Sequence, residues 1–299
     1  MKHFNDLFQD PDFRKKLKKR LAEGWSEEKI EKMSTAEIFS RLNRLGIKTS
    51  KAQFLKATRH YESANQLSED EWYARYTLQP EGRYDEDFPW IAAIVLWKRL
   101  VPDRICFEQI NDLMQDGYDL LEENRTPEAC DAWWQTWEWI KEKVTPERNT
   151  LAAFDEAFRG TQSVFNWCSH FEMELHNAGL EDPNYIRMRI RYVREFLDTF
   201  TELSWLRRGN FLRAEAESYW HLGEIEKAES KFEALIEANP DWAWGYINWS
   251  DMYAMSFYEP VDYDRAEEIL QRALERPNLE EREMVLERLA DVREQRNSD

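Results

Sequence analysis

Apolar residues recur along most of this chain at intervals of three and four positions, the spacing typical of amphipathic helices. The most apolar example is WIAAIVLWKRL, residues 90–100, whose Trp90, Ile94 and Trp97 fall on one helical face. No segment alternates apolar and polar residues convincingly, as a half-buried strand does. The pattern therefore predicts an all-α protein.

The first 60 residues predict short helices separated by polar turns. Ser34 and Glu37 have the spacing of a capping box ahead of the apolar Ile38. The predicted helices are 12–23, 26–32, 35–44 and 50–62. Residues 68–87 are polar and aromatic, and they predict a short helix followed by a connecting loop.

The clearest internal pattern lies in residues 208–240, where two helical segments are joined by a turn at Gly223. Counted from Gly209, positions 8, 11, 20, 24 and 32 hold Ala216, Tyr219, Ala228, Phe232 and Pro240. In these positions the segment resembles the tetratricopeptide repeat (TPR), a helix–turn–helix unit of about 34 residues. Small residues let paired helices approach closely, and large ones fill the gaps between successive hairpins. The resemblance implies a right-handed superhelical array of TPR-like helical hairpins.

A second copy of this pattern begins at Ala243, with Ser250 and Tyr253 in place. Extra residues then delay its second helix, which resumes at Ala266. A last helix, predicted over 280–294, carries one apolar face and is otherwise charged, as a solenoid cap requires. We therefore expect the chain to end in a polar-backed cap.

Upstream, the resemblance is weaker. Gly117, Ala129 and Trp133 fit the small, alanine and large positions of a divergent copy, and residues 162–200 predict a hairpin that turns near Gly179. TPR-like spacing thus covers roughly 105–299. The arrangement is also similar to bacterial helical-repeat proteins that sometimes carry a SEC-C zinc motif. Because no such cysteine-rich tail occurs here, the resemblance implies no zinc site.

The stretch CDAWWQTWEW, residues 130–139, contains four tryptophans. Trp133 and Trp137 share a helical face with apolar neighbours, which predicts core packing, and Trp134 lies at the edge of that face. Trp139 lies on the other side, so it either meets another helix or is exposed. The cluster therefore favours a repeat core over a ligand site.

Charge divides the chain unevenly. Residues 1–60 hold 15 Lys/Arg against 8 Asp/Glu, which leaves 26 against 51 in the remainder and a net charge of −18 overall. We therefore predict a basic N-terminal helical module with its connector at 1–85 and an acidic TPR-like domain at 86–299. The run RKKLKKR, residues 14–20, either belongs to a solvated helix with Leu17 and Leu21 facing inward or contacts phosphate.

Composition narrows the possible functions. Nine glycines, never closer than 14 positions, exclude the GxGxxG, GxxxxGK[ST] and GxSxG motifs. Three widely spaced cysteines and the lack of an apolar run of about 20 residues favour a cytoplasmic protein without membrane partners. Cys168, Glu172 and His176 could share a helix face, but a core cysteine beside a solvated Glu–His pair is the favoured interpretation. We expect no enzyme activity, cofactor or metal.

TPR arrays bind peptides or helices on the concave face formed by their first helices, and the resemblance implies the same function here: a non-enzymatic scaffold or adaptor. An acidic and aromatic groove favours a basic or amphipathic protein segment as partner. The alternative is a nucleic-acid-associated regulator that uses the basic residues 12–60. The partner-binding residues implied by repeat position are Asn210, Arg213, Glu217, Trp220, His221, Trp244, Ile247, Asn248, Asp251, Met255, Asn111 and Tyr118.

Overall fold

The structure is a computed structural model that describes residue 19, residues 22–255 and residues 261–298. These residues form 15 α-helices and no β-strand, which confirms the all-α prediction. The basic run at 14–20, apart from Lys19, and most of the predicted helix 12–23 lie outside the described residues. So do residues 256–260 of the segment that delays the second helix of the last hairpin.

The helices follow one another with short connections. The first six are α1 (Glu27–Glu31), α2 (Thr35–Arg44), α3 (Lys51–Ala57), α4 (Ala64–Ser68), α5 (Phe88–Leu100) and α6 (Phe107–Glu122). The next five are α7 (Thr126–Lys143), α8 (Leu151–Phe158), α9 (Val164–Gly179), α10 (Pro183–Thr199) and α11 (Trp205–His221). The last four are α12 (Ile225–Ala238), α13 (Ala243–Ala254), α14 (Tyr263–Leu274) and α15 (Arg282–Ser298).

The chain divides into two compact units. Unit 1 comprises Met1–Gln115 and Phe158–Thr161, and unit 2 comprises Asp116–Ala157 and Gln162–Asp299. The division falls within α6, whereas the change in charge suggested a boundary at residue 85. The boundary between the two packed units therefore lies about 30 residues after the boundary suggested by charge.

Unit 1 is organised around the apolar helix α5. Helices α1, α2 and α4 pack against it, and Ile94 and Trp97 are buried as predicted. Trp90 differs from the prediction, since it is 37% exposed at the edge of the apolar face. The capping box is confirmed, because Ser34 N donates to Glu37 Oε2 (2.7 Å) and Glu37 N donates to Ser34 Oγ (3.2 Å).

The helix predicted over 50–62 is shorter in the structure. It ends at Ala57 and continues as one 3₁₀ turn, Thr58–His60. Residues Glu69–Tyr73 then form a π-helical turn. Buried Phe54 and Trp72 connect the two segments, with ring centroids 6.1 Å apart.

In unit 2, every helix from α9 to α15 packs against the next helix in the chain. Helix α11 also contacts α13, and α13 contacts α15. The predicted small and large positions Ala216, Ala228 and Phe232 are buried, and Phe232 stacks on Trp249 of the following hairpin at 6.0 Å. Sequence periodicity therefore identified both the helices and the residues between the hairpins.

The tryptophan cluster lies on α7 and packs as predicted. Trp133 and Trp137 are fully buried, whereas Trp134 and Trp139 are half-buried. Gly117 allows the close approach, since a Cβ at this position would lie 2.0 Å from Trp133 Nε1. Trp133 and Trp137 are therefore core residues and do not form a ligand surface.

Candidate functional site

The most unusual polar residue in unit 2 is a buried arginine on α10. Arg189 is 3% exposed and lies on the face that also buries Ile186 and Val193. Its Nε donates to Glu172 Oε1 on α9 at 2.6 Å, and its Nη2 donates to Glu217 Oε2 on α11 at 3.1 Å. One guanidinium thus joins two carboxylates from the helices on either side.

The remaining Arg189 nitrogen also faces α9 and α11. Nη1 lies 3.3 Å from His176 Nδ1 and donates to Ser218 Oγ at 3.3 Å. The rings of His176 and His221 lie 4.9 Å apart, edge to face. Buried charge is tolerated only with partners of this kind, because desolvation of an unpaired ion costs several kcal/mol.

Glu217 extends these contacts to the next hairpin. Its second oxygen, Oε1, accepts from Arg213 Nη1 at 2.9 Å, and the same nitrogen donates to Asn248 Oδ1 on α13 at 3.1 Å. Asn248 Nδ2 donates back to the Trp244 carbonyl at 2.6 Å. We call the connected residues Glu172, Arg189, Glu217, Arg213 and Asn248 the polar ladder.

A separate ion pair connects α13 to α15. Asp251 Oδ1 lies 3.3 Å from Arg288 Nη1, and the aspartate is 7% exposed. Burial raises the pKa of Asp251 to about 6, although Arg288 acts in the opposite direction. Helices α11, α13 and α15 are thus joined side by side through polar contacts at two successive interfaces.

Protonation within the ladder follows from burial and from the arginines. Burial and the positive charge of Arg189 lower the pKa of His176 to about 4, and the same two causes lower the pKa of His221. Burial disfavours the Glu217 carboxylate, but Arg213 and Arg189 outweigh it and hold its pKa below the ordinary value. At neutral pH the ionised Glu217 of the ladder therefore lies near two neutral histidines, His176 and His221.

The twelve partner-binding positions predicted from repeat spacing differ widely in exposure. The buried ones are Glu217, Trp220, Ile247 and Asp251. The half-buried ones are Arg213, His221, Trp244, Asn248, Met255, Asn111 and Tyr118, and Asn210 is exposed. The prediction of Trp220 and Ile247 as surface residues is wrong, since they are 3% and 2% exposed, and Trp220 packs edge-on against Tyr253 at 4.6 Å.

The two upstream positions make local contacts. Asn111 Oδ1 accepts from the backbone N and Oγ1 of Thr161, at 2.7 and 2.8 Å. The Tyr118 hydroxyl lies 2.7 Å from His170 Nδ1, and its ring meets Trp133 edge to face. Asn111 belongs to unit 1 and Tyr118 to unit 2, and each makes these contacts within its own unit.

Five residues with exposed surface lie along α11, α13 and α15, and one of them, Asn248, also belongs to the ladder. We call Leu206, Asn210, Trp244, Asn248 and Met284 the first-helix face. Leu206 is 61% exposed and lies one turn before Asn210, while Met284 is 40% exposed and lies one turn before Arg288. Repeat spacing missed Leu206 and Met284, although helical periodicity from Asn210 could have identified Leu206.

The structure also corrects the predicted charge of this surface. Glu217 and Asp251 supplied the acidic character of the predicted groove, but both are buried and paired with arginines. Their charges are largely compensated within the fold. The surface that remains is largely apolar and amide-bearing, with Arg213 and Arg288 as half-buried cations and the exposed Asp291 near Asp251 as an acidic group.

The Cys168, Glu172 and His176 triplet belongs to the core and to the contacts of Arg189. Cys168 is fully buried, and burial raises the pKa of its thiol to about 12. The expectation of a solvated Glu–His pair is wrong, because both side chains face Arg189. Among the residues that the structure describes, no three Cys, His, Asp or Glu side chains gather as metal ligands do.

Comparison with known proteins identifies no related family, protein or structure. No protein-family model matches the chain, and neither the curated proteins nor the solved structures include a significantly similar one. Within the described ranges, no helix combines the length and apolarity that crossing a membrane requires.

Proposed function

We propose that this protein is a TPR-like scaffold or adaptor that binds a segment of a partner protein on the concave side of a right-handed superhelix. The observation that carries the proposal is the side-by-side arrangement of α11, α13 and α15. Arg213 and Asn248 join the first pair, and Asp251 and Arg288 join the second. Helices α11 and α13 are the first helices of successive hairpins, and α15 follows them as the last helix. In TPR arrays the first helices of the hairpins form the peptide-binding face.

The partner that fits best is an amphipathic peptide or helix. Leu206, Trp244 and Met284 offer apolar surface, and Asn210 and Asn248 offer amide donors and acceptors. Amphipathic segments bind such grooves through apolar residues spaced three and four positions apart. A purely basic partner segment is less favoured than the sequence predicted, because Glu217 and Asp251 already have arginine partners within the fold.

The proposed role requires neither a catalytic group nor a cofactor. The ladder side chains bind one another, and their buried contacts stabilise the arrangement of the helices. A non-enzymatic function and a cytoplasmic location remain predictions. They follow from the TPR resemblance and from cysteine usage.

The proposal is tested by selecting binders from a random linear peptide library with the intact chain. We expect the selected peptides to carry apolar residues at three- and four-residue spacing. Asn210→Trp should then weaken their binding at least about tenfold, because an indole would occupy the proposed groove.

The matched control is Arg208→Trp. Arg208 is also exposed on α11 but lies about 200° around the helix from Asn210. This variant should change the affinity less than about twofold. Equal loss in both variants, or binding that neither one affects, would place the peptide elsewhere and refute the proposal.

The nucleic-acid alternative depends on the basic residues 12–60. In their described part, Lys48, Lys51, Lys56 and Arg59 are exposed, and exposed Lys19 lies 3.7 Å from Glu23. Phosphate contacts would make binding fall steeply as salt rises. An intact chain that binds no DNA or RNA at low salt would eliminate this alternative.

A further inference from the structure

A small cleft opens in unit 1 between two short segments, far along the sequence from the first-helix face. One wall comes from α3 and the 3₁₀ turn after it, and the other comes from the π-helical turn Glu69–Tyr73 and the residues that follow. Its volume is about 300 Å³, at the lower end of the range for small-molecule sites.

The walls of this cleft are basic. Lys48, Lys56 and Arg75 line it, with Glu71 as the one acidic lining residue, so the formal balance is two positive charges. Glu71 is already engaged, since it accepts from Arg75 Nη2 at 2.8 Å and from the Tyr61 hydroxyl at 3.1 Å. Lys48 and Lys56 are exposed and form no ion pair with any described residue.

The floor of the cleft is aromatic. Phe54 and Trp72 lie at its base but are only 1% and 3% exposed, so the aromatic surface open to a ligand comes from the half-buried Tyr76 and the exposed His60. The hydroxyl of Tyr76 donates to the Lys48 carbonyl at 3.0 Å, which ties the loop before α3 to the opposite wall. His60 lies one turn after Lys56 and adds an imidazole donor to the rim.

Two unpaired lysines and a paired arginine around one small volume fit a dianion better than a single carboxylate. A phosphomonoester carries between about 1.5 and 2 negative charges at pH 7 and presents three acceptor oxygens. Lysine binds phosphate as a flexible point charge, without the fixed planar geometry of arginine. The rings of Tyr76 and His60 would contact an apolar or aromatic body attached to that phosphate.

We propose that this cleft binds a phosphomonoester with an aromatic body, the chemistry of a nucleoside monophosphate, either free or at the 5′ end of a single strand. Lys48 and Lys56 hold the phosphate, and the body lies against the rings of Tyr76 and His60. The site does not depend on the proposed scaffold function, and either one can fail alone.

Isothermal titration calorimetry of the intact chain with adenosine monophosphate, adenosine and inorganic phosphate tests the ligand chemistry. Adenosine monophosphate should bind at least about tenfold more tightly than either other probe. Equal affinity for adenosine would contradict phosphate recognition, and equal affinity for inorganic phosphate would contradict the aromatic body. A lack of binding by adenosine monophosphate at millimolar concentration would overturn the site.

Lysine variants test the location. Lys48→Gln and Lys56→Gln should each weaken the binding of adenosine monophosphate about five- to tenfold, because each removes one charge close to the phosphate. Lys51→Gln is the matched control, since Lys51 is exposed on α3 but does not line the cleft. All three positions are exposed, so the melting temperature should not change. Equal losses in the three variants would overturn the assignment.

Short single-stranded oligonucleotides distinguish the two sources of the phosphate. A strand with a 5′-phosphate should compete with adenosine monophosphate if the natural ligand is a strand end, and should not compete if it is a free nucleotide; both results support the phosphomonoester site. Competition that is equally strong without the 5′-phosphate would overturn it in favour of general binding to the nucleic-acid backbone.

Discussion

Arg189 and Glu217 form an ion pair between α10 and α11, with Arg189 Nη2 3.1 Å from Glu217 Oε2. The two side chains are less than a tenth exposed. Each member has one further ionic partner, Glu172 for Arg189 and Arg213 for Glu217, so removal of one member leaves the other buried charge only partly compensated, which is costly. The pair therefore makes the geometry of the hairpins sensitive to single substitutions.

Arg189→Leu should lower the free energy of unfolding by about 3–5 kcal/mol, because Glu172 would lose its cation and the buried Glu217 would keep only Arg213. Urea unfolding followed by circular dichroism measures this loss. Arg187→Leu is the matched control on the same helix, since Arg187 is exposed, and it should cost less than about 0.5 kcal/mol. Similar values for the two variants would mean that Arg189 is not essential to the packing.

Asp251 should make stability depend on pH. Its pKa is raised from 3.8 to about 6 in the folded state, so the folded state binds the proton more tightly than the unfolded chain does. The stabilisation is full below about pH 4 and is lost as the pH rises through 6. The free energy of unfolding of Asp251→Asn, measured relative to that of the wild type, should therefore be higher at pH 7.5 than at pH 4, by up to about 3 kcal/mol. A difference that stays constant with pH would show that burial does not perturb this carboxyl.

His176 should stay neutral in mildly acidic solution. Its pKa is lowered from 6.5 to about 4, and the groups around it are Arg189, His221, Glu217 and Arg213. Because the folded pKa is depressed, the stabilisation is present above pH 6.5 and is lost as the pH falls toward 4. Long-range nitrogen–proton NMR spectra should show an uncharged His176 ring at pH 5.5. An imidazolium signal at that pH would contradict the buried arrangement.

Gly117→Ala should destabilise unit 2 even though alanine favours helices by about 1 kcal/mol. The added Cβ would lie 2.0 Å from Trp133 Nε1, so the indole or the helix must shift, at a cost of about 2–3 kcal/mol. A double-mutant cycle with Trp133→Phe isolates this contact, since a smaller ring should relieve most of the clash. If Gly117→Ala costs the same in both backgrounds, the clash has another origin.

Trp220 and Asn210 should respond differently to truncation, although repeat position assigns both to the partner surface. Trp220→Ala should lower the free energy of unfolding by about 3–5 kcal/mol, because the ring is buried against Tyr253. Asn210→Ala should change it by less than about 0.5 kcal/mol. Thermal and urea unfolding measure both values. A Trp220→Ala variant as stable as the wild type would contradict the assignment of Trp220 to the core.

Helical periodicity predicted the parts of the fold that depend on local pattern. The hairpin predicted at 208–240, which runs from Trp205 to Ala238 in the structure, the burial of Phe232 and the packing of Trp133 follow from apolar spacing along single helices. The Ser34–Glu37 capping box is likewise a local signal. Such features need no knowledge of which helices meet.

The ladder could not be predicted in this way, because its contacts join distant helices. Arg189 binds Glu172 and Glu217, which are 17 and 28 positions away in the sequence. One signal was available, since Arg189 stands on the apolar face of its own helix beside Ile186 and Val193. Periodicity identifies a misplaced charge of this kind but not its partners.

Exposure was the least predictable property of the site. Repeat position put Trp220 and Asn210 on the same surface, yet one is buried and the other is exposed. Their difference depends on the bulk of side chains in the neighbouring hairpin, such as Tyr253. The cleft in unit 1 could not be predicted from the sequence either, because its walls come from separate segments around Lys56 and Arg75.

The most direct test of the central claim is site-specific photo-crosslinking of a library-selected peptide to the intact chain. A benzoylphenylalanine residue is placed at position 210 in one variant and at position 208 in another. If the first-helix face binds the peptide, the crosslink forms from position 210 and is nearly absent from position 208. Equal crosslinking from both positions, or from 208 alone, would contradict the assignment of this face as the partner-binding surface.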